Sequence, residues 1–186
     1  MSNPTAFRRA ATASAVLAAV LAGMATTPGF AETRGLSADL SAARESLASA
    51  WSQSALSFTA ATFTQGKARG YGRFTPKPQA EFAPDEPLYV YAEPVAFGYG
   101  SDGDRVTVEL TASSELRNTT GQILAKGEEF ARLKTETRHP VREFPAILSY
   151  RFDGLAPGDY VLVTRLDDAN SDKSGSFSLP FSVEEK

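Results

Sequence analysis

Leu88-Tyr89-Val90-Tyr91-Ala92-Glu93 alternates its side chains with a period of two. Leu88, Val90 and Ala92 fall on one face of an extended chain and Tyr89 and Tyr91 on the other. Bounded upstream by Pro84-Asp85-Glu86-Pro87, a turn, the segment reads as a strand with an aliphatic side turned to a core. The same period recurs along the chain. Residues 56–63 are rich in Thr and Phe, and residues 105–113 set Val106, Val108 and Leu110 against Thr107, Glu109 and Thr111. Residues 123–124, 130–137, 144–152, 160–166 and 176–183 supply further extended pieces. Asn118-Thr119-Thr120-Gly121, Ala156-Pro157-Gly158-Asp159 and the polar loop 167–175 separate them, and residues 66–78 form a Gly- and Pro-punctuated loop with one short extended piece at 71–75. Seven or eight short strands, with no βαβ alternation and no internal repeat, predict an all-β fold. An antiparallel β-sandwich is expected, with a closed barrel as the alternative.

Upstream of the strands the period changes. Leu36, Leu40, Ala43, Leu47 and Trp51 recur at spacings of three and four, so residues 32–53 read as an amphipathic helix with Ser37 as its N-cap. The stripe either docks on the strand domain with Trp51 as anchor, binds a partner, or belongs to a loose arm. Its polar side is Ser and Ala rather than Lys and Arg, which argues against a membrane-surface helix. Before it, Arg8 and Arg9 precede an uncharged apolar run at 10–25, and Gly29-Phe30-Ala31 places small residues at a cleavage site. That is the layout of a secretory signal peptide cleaved after Ala31. The run is too short and Ala-rich to span a bilayer, so no stable membrane anchoring is expected after cleavage. The organisation is therefore a leader (1–31), a helix (32–54) and a β-sandwich (55–186), in a periplasmic or secreted protein.

Cleavage leaves 155 residues, about one domain. Arg8 and Arg9 leave with the leader, so 19 basic residues become 17 against 22 acidic ones, a formal charge of −5. A mildly acidic chain with scattered cations is not built for nucleic acid. The chain has no cysteine, which removes disulfides, thiolate nucleophiles and cysteine-based zinc sites.

Leu155-Ala156-Pro157-Gly158-Asp159-Tyr160-Val161-Leu162 resembles the corner before a late strand of immunoglobulin-like and fibronectin-type sandwiches, where the tyrosine hydroxyl ties back to upstream backbone. Phe82-Ala83-Pro84-Asp85-Glu86-Pro87-Leu88-Tyr89 resembles the opening of macroglobulin-type sandwiches, with Asp85 where Gly is usual. Three blocks carry a wider likeness: Gly70-Tyr71-Gly72 through Pro87-Leu88-Tyr89-Val90-Tyr91-Ala92-Glu93-Pro94; Glu143-Phe144; and Gly158-Asp159-Tyr160 through Asp168-Ala169-Asn170-Ser171-Asp172-Lys173-Ser174-Gly175 to Leu179-Pro180-Phe181. Through them the chain resembles a family of small exported proteobacterial proteins of unknown function with an immunoglobulin-like β-sandwich. The resemblance implies an exported sandwich and carries no activity.

No pattern of catalysis stands out, and no enzyme activity or cofactor is expected. His139 is the single histidine, in the basic turn Arg138-His139-Pro140-Val141-Arg142, with no nucleophile elbow. Glu86 and Glu93 lie at opposite ends of the tyrosine strand and on opposite faces, about 23 Å apart at strand rise, so they form no carboxylate pair. Glu109 or Glu143 as partner keeps a carboxylate hydrolase as a distant alternative. Asp168, Asn170 and Asp172 alternate like the first half of a calcium loop, but Lys173 and Leu179 break the pattern; Asp102 and Asp104 form a second incomplete loop. Without an ion these residues read as Asx-turn chemistry.

The aromatic cluster is the main candidate surface. Tyr71, Phe74, Tyr89, Tyr91, Phe97 and Tyr99 lie within 29 positions, with Arg73 and Glu93 as polar partners. The tyrosines are either covered, by the 66–78 loop or the helix, or open to a sugar or peptide. The expected function is thus a non-enzymatic binding module for a protein or polysaccharide partner. The rival is an envelope assembly factor docking through its helix or through a sheet edge. Open tyrosines favour the first and a detached helix or unprotected edge the second.

Overall fold

The computed structural model describes residues 35–185, so the leader and residues 32–34 lie outside it. One helix, α1 (Ala38–Gln53), precedes nine strands: β1 (Ser57–Thr64), β2 (Glu81–Phe82), β3 (Leu88–Val95), β4 (Gly100–Asp102), β5 (Arg105–Asn118), β6 (Ile123–Thr137), β7 (Ala146–Tyr150), β8 (Gly158–Asp168) and β9 (Ser174–Val183). The fold is all-β apart from α1, and its sheets are antiparallel except for the short parallel contact of β2 with β9. One sheet has the order β1-β3-β7. The other runs β2-β9-β8-β5, with β5 as its hub. Residues 110–118 of β5 pair with β8, residues 105–107 pair with β4, and β6 lies along the opposite edge of β5.

Period-two patterning dictates which side chains meet. Val90 and Ala92 of β3 and Leu148 of β7 join Leu110 and Ala112 of β5 and Leu162 and Leu166 of β8 in one buried cluster. Each fully buried leucine there contributes about 1.5–3 kcal/mol. Phe63, Phe82 and Phe181 close one end in edge-to-face contacts 5.1–5.8 Å apart. Across the core the hydroxyls of Tyr150 (β7) and Thr164 (β8) lie 2.8 Å apart, joining the two sheets by their one buried side-chain hydrogen bond among the described residues. At the margin the sheets nearly touch: a Cβ placed on Gly175 would stand 2.5 Å from the Leu56 carbonyl oxygen, and Phe58 packs on Phe177 at 4.9 Å.

The turns behave as their residues dictate. Tyr160 Oη donates to the Ala156 carbonyl at 2.7 Å, the tie expected of that corner. Asp85 sits at φ +64, the left-handed conformation that glycine adopts freely and aspartate tolerates, and its Oδ1 accepts from Gly154 N–H at 2.9 Å.

Three readings change. The pieces expected at 123–124 and 130–137 are one strand, β6, because Glu128, Glu129 and Phe130 bulge out between the pairs Ala112–Ala131 and Ser114–Gly127 and break the period. Glu129 takes φ +44, and its N–H is satisfied by Ser113 Oγ at 3.0 Å. Residues 71–75 form no strand; the loop makes one β-bridge, Thr64 with Pro76, and is tied further by Gln65 N–H to the Thr75 carbonyl at 3.0 Å and Arg69 N–H to the Arg73 carbonyl at 2.9 Å. Strands β2 and β4, two and three residues long, are too short to show any period.

Candidate functional site

The aromatic cluster is divided between two places. On the outer side of β3, Phe74 of the 66–78 loop stacks on Tyr91 with ring centroids 4.0 Å apart, and Tyr91 is fully buried beneath it. Gly72 N–H donates to Tyr91 Oη at 2.6 Å, and Tyr91 Oη donates to Glu93 Oε1 at 2.7 Å. Thr59 Oγ1 takes the other carboxylate oxygen at 3.0 Å, so Glu93 is occupied by the protein itself. Burial, with Glu93 adding to it and the Gly72 N–H opposing it, pushes the Tyr91 hydroxyl up to about 12. Tyr71 and Arg73 are exposed at the loop tip, and Tyr89 is half-buried. Burial first, then the carboxylates of Glu93 and Glu143, raise the Tyr71 hydroxyl. The tyrosine side of β3 is therefore covered by the loop.

Phe97 and Tyr99 belong to the second place, at the foot of α1. Trp51 Nε1 donates to the Phe97 carbonyl at 2.7 Å, and the indole meets the fully buried Phe97 ring edge-on at 5.0 Å. Lys173 Nζ donates to the carbonyls of Trp51 at 3.2 Å and Ala96 at 2.8 Å. Ala96 is held at φ +63, a strained conformation for a residue with a Cβ. Above this foot the helix stands clear. No residue of α1 is buried, and Leu36, Leu40 and Leu47 keep 56%, 49% and 48% of their surface exposed. Ser37 Oγ caps the start by accepting from Leu40 N–H at 3.3 Å. The helix starts at Ala38, later than the expected stretch, so Leu36 lies ahead of its N-cap; Trp51 anchors its last turn, but Leu40 and Leu47 do not dock on the strand domain.

Between the helix foot and three loops lies a pocket of about 480 Å³. Its apolar wall is Trp51, Phe97, Tyr99 and Pro140; Arg142, Asn170 and Lys173 supply polarity. Tyr99 Oη donates to the Val141 carbonyl at 2.7 Å, which fixes the ring; burial raises its hydroxyl and the Arg142 cation opposes the shift. The Arg142 guanidinium lies 5.8 Å from the Trp51 ring centroid. Among the described residues two buried donors here have no partner, Arg142 Nε and Asn170 Nδ2. Residues far apart in sequence build this pocket, and composition could not assemble them; the one local signal is the basic turn that carries Arg142.

The remaining candidates are spent on structure. Asp168 accepts from the N–H groups of Gly98 and Asn170 and from Ser171 Oγ, so its carboxylate closes the 168–171 turn onto the loop before β4. Asp172 is exposed, and among the described residues no group of three or more His, Cys, Asp or Glu side chains is placed to hold a metal. Glu86 pairs with Lys77 at 3.0 Å and Glu109 with Arg132 at 2.7 Å. His139 is exposed. A wider groove on the outer face of β6, β5 and β8 is lined by Glu115 paired with Arg117 and Lys126, by Arg165 paired with Asp167, and by Glu128 and Glu129, which make no ion pair among the described residues. The hydrogen bond from Arg117 and then that from Lys126 hold the Glu115 carboxyl below the usual range.

Comparison with protein-family models and with curated proteins finds no match to the chain. The site is read from its own geometry.

Proposed function

We propose that this chain is an exported, non-enzymatic interaction module: an immunoglobulin-like sandwich that docks a protein partner of the cell envelope through α1. The observation that carries the reading is the exposed leucine stripe on a helix whose last turn is pinned. Leu40 and Leu47 hold about half their surface open on the helix, while Trp51 bonds to Phe97 and fixes where the helix leaves the domain. Leaving two leucines half in water on a pinned helix makes physical sense when an apolar groove on a partner covers them.

Two rival readings have less support. A sugar-binding aromatic face needs open rings, and Phe74 lies on Tyr91. Strand addition needs a flat, unprotected edge. The long edge strand β6 carries Lys126, Arg132 and Lys134 and is broken by its bulge.

Photo-crosslinking in periplasm tests the proposal. A benzophenone side chain at position 40 or 47 of the processed chain is expected to give one discrete protein adduct. The same group at Arg44 or Glu45, off the stripe, is expected to give none. Equal labelling from both faces, or no adduct from the stripe, would falsify the reading.

A further inference from the structure

We propose that the pocket at the foot of α1 binds a small organic carboxylate, with its apolar body against Trp51, Tyr99 and Pro140 and its carboxylate on Arg142 and Asn170. The inference stands apart from the role given to the leucine stripe, since it uses only the pinned turn of the helix.

Three observations converge on that chemistry. First, Arg142 and Asn170 both line the pocket, and among the described residues Arg142 Nε and Asn170 Nδ2 have no hydrogen-bond partner. Both are donors, so what completes them is an acceptor. Second, the charges are complementary to an anion. Among the described residues neither Arg142 nor Lys173 has a carboxylate within ion-pair distance; Lys173 is committed to two backbone carbonyls and leaves its positive charge beside the pocket. The one acid beneath the floor, Asp168, is already filled by three donors. A planar guanidinium paired with an amide suits the two oxygens of a carboxylate. Third, Trp51, Phe97, Tyr99, Pro140 and Ala48 make most of the remaining wall apolar, and about 480 Å³ lies in the range of small-molecule sites. An apolar acid matches both halves.

Asn170 packs against Gly100, and a Cβ there would collide with the Asn170 Oδ1 and with Thr107 Oγ1. A Cβ on Gly98 would press on Asp168 Oδ2 at 3.0 Å and Ser171 Cβ at 3.2 Å. Small residues at 98 and 100 thus let the amide reach its place.

Trp51 is the only tryptophan of the chain, so its emission reports the pocket directly. The probes are 3-phenylpropionate and octanoate, titrated into the processed protein beside 3-phenylpropan-1-ol and octan-1-ol. The acids are expected to give a saturable change in emission and to bind at least tenfold more tightly than the matched alcohols. Arg142→Gln is expected to remove that preference while changing alcohol binding less than twofold. Equal binding of acids and alcohols, or no saturable response to either acid, overturns the proposal. The acid-to-alcohol comparison is made on the unaltered protein and does not depend on the variant folding.

Discussion

Trp51 Nε1 donates to the Phe97 carbonyl at 2.7 Å, and this bond joins α1 to the loop between β3 and β4. It is the one place where a tryptophan hydrogen bond, an edge-on aromatic contact and a lysine bridge meet. Trp51→Phe keeps an aromatic ring but leaves the Phe97 carbonyl unpaired. The expected loss is about 1–2 kcal/mol in urea unfolding. Residues 38–53 are also expected to be cut faster by protease, read by mass spectrometry, with the strands unaffected.

Leu40→Glu and Leu47→Glu are expected to do the reverse. Both sites are half-exposed on the helix, so unfolding free energy should move within about 0.5 kcal/mol. A larger loss would show that the stripe is packed in the free protein.

The hydroxyl pair across the core gives a double-mutant cycle. Tyr150→Phe leaves Thr164 Oγ1, on a fully buried residue, without its partner, and Thr164→Val does the same to Tyr150. Each single change is expected to cost about 1–3 kcal/mol, and the double change less than their sum, since both partners are then apolar.

Burial pushes the Tyr150 hydroxyl up to about 12, against an ordinary value of 10.0; the Thr164 hydroxyl opposes the rise. Below pH 10 the group is protonated folded and unfolded, and its contribution is fully present. Between pH 10 and about 12 the unfolded chain gives up the proton first, so stability falls as pH rises. The loss attributable to Tyr150 approaches about 2–3 kcal/mol at the upper end. Urea midpoints across that range should drop more steeply for the natural chain than for Tyr150→Phe.

Ala96 at φ +63 holds strain that glycine would not. Ala96→Gly is expected to raise stability by about 0.5–1 kcal/mol, the relief exceeding the added freedom of the unfolded chain. Ala96→Val should lower it by more than that amount. Thermal unfolding of the two variants checks the sign.

Alternation made β3 and β5 legible in the sequence, because one buried face imposes a period of two on Leu88 to Ala92 and on Val106 to Leu110. It failed at β6, where Glu128 and Glu129 step out of the pleat, and at β2 and β4, which are shorter than a period can show. Helical spacing in Leu36, Leu40, Ala43, Leu47 and Trp51 identified the apolar face of α1. Spacing says which residues share a face and nothing about what lies opposite, so the leucines' exposure was beyond it. The same limit applied to Tyr91: its side of the strand was legible, and the Phe74 lid was a loop conformation. The pocket was least legible, because Trp51, Arg142 and Asn170 meet only through turns at positions 96–100, 138–142 and 168–173.

β6 runs for fifteen residues without one buried side chain, and its bulge and alternating charges keep its outer edge from pairing. Ala125, Ala131 and Leu133 still rest against the core and Phe130 on Tyr150, but packing constrains the rest of its composition less than that of β5 or β8. Over evolutionary time such a strand is free to drift, provided that the bulge and some charge persist. It is the part of this fold where new surface chemistry can arise without disturbing the core.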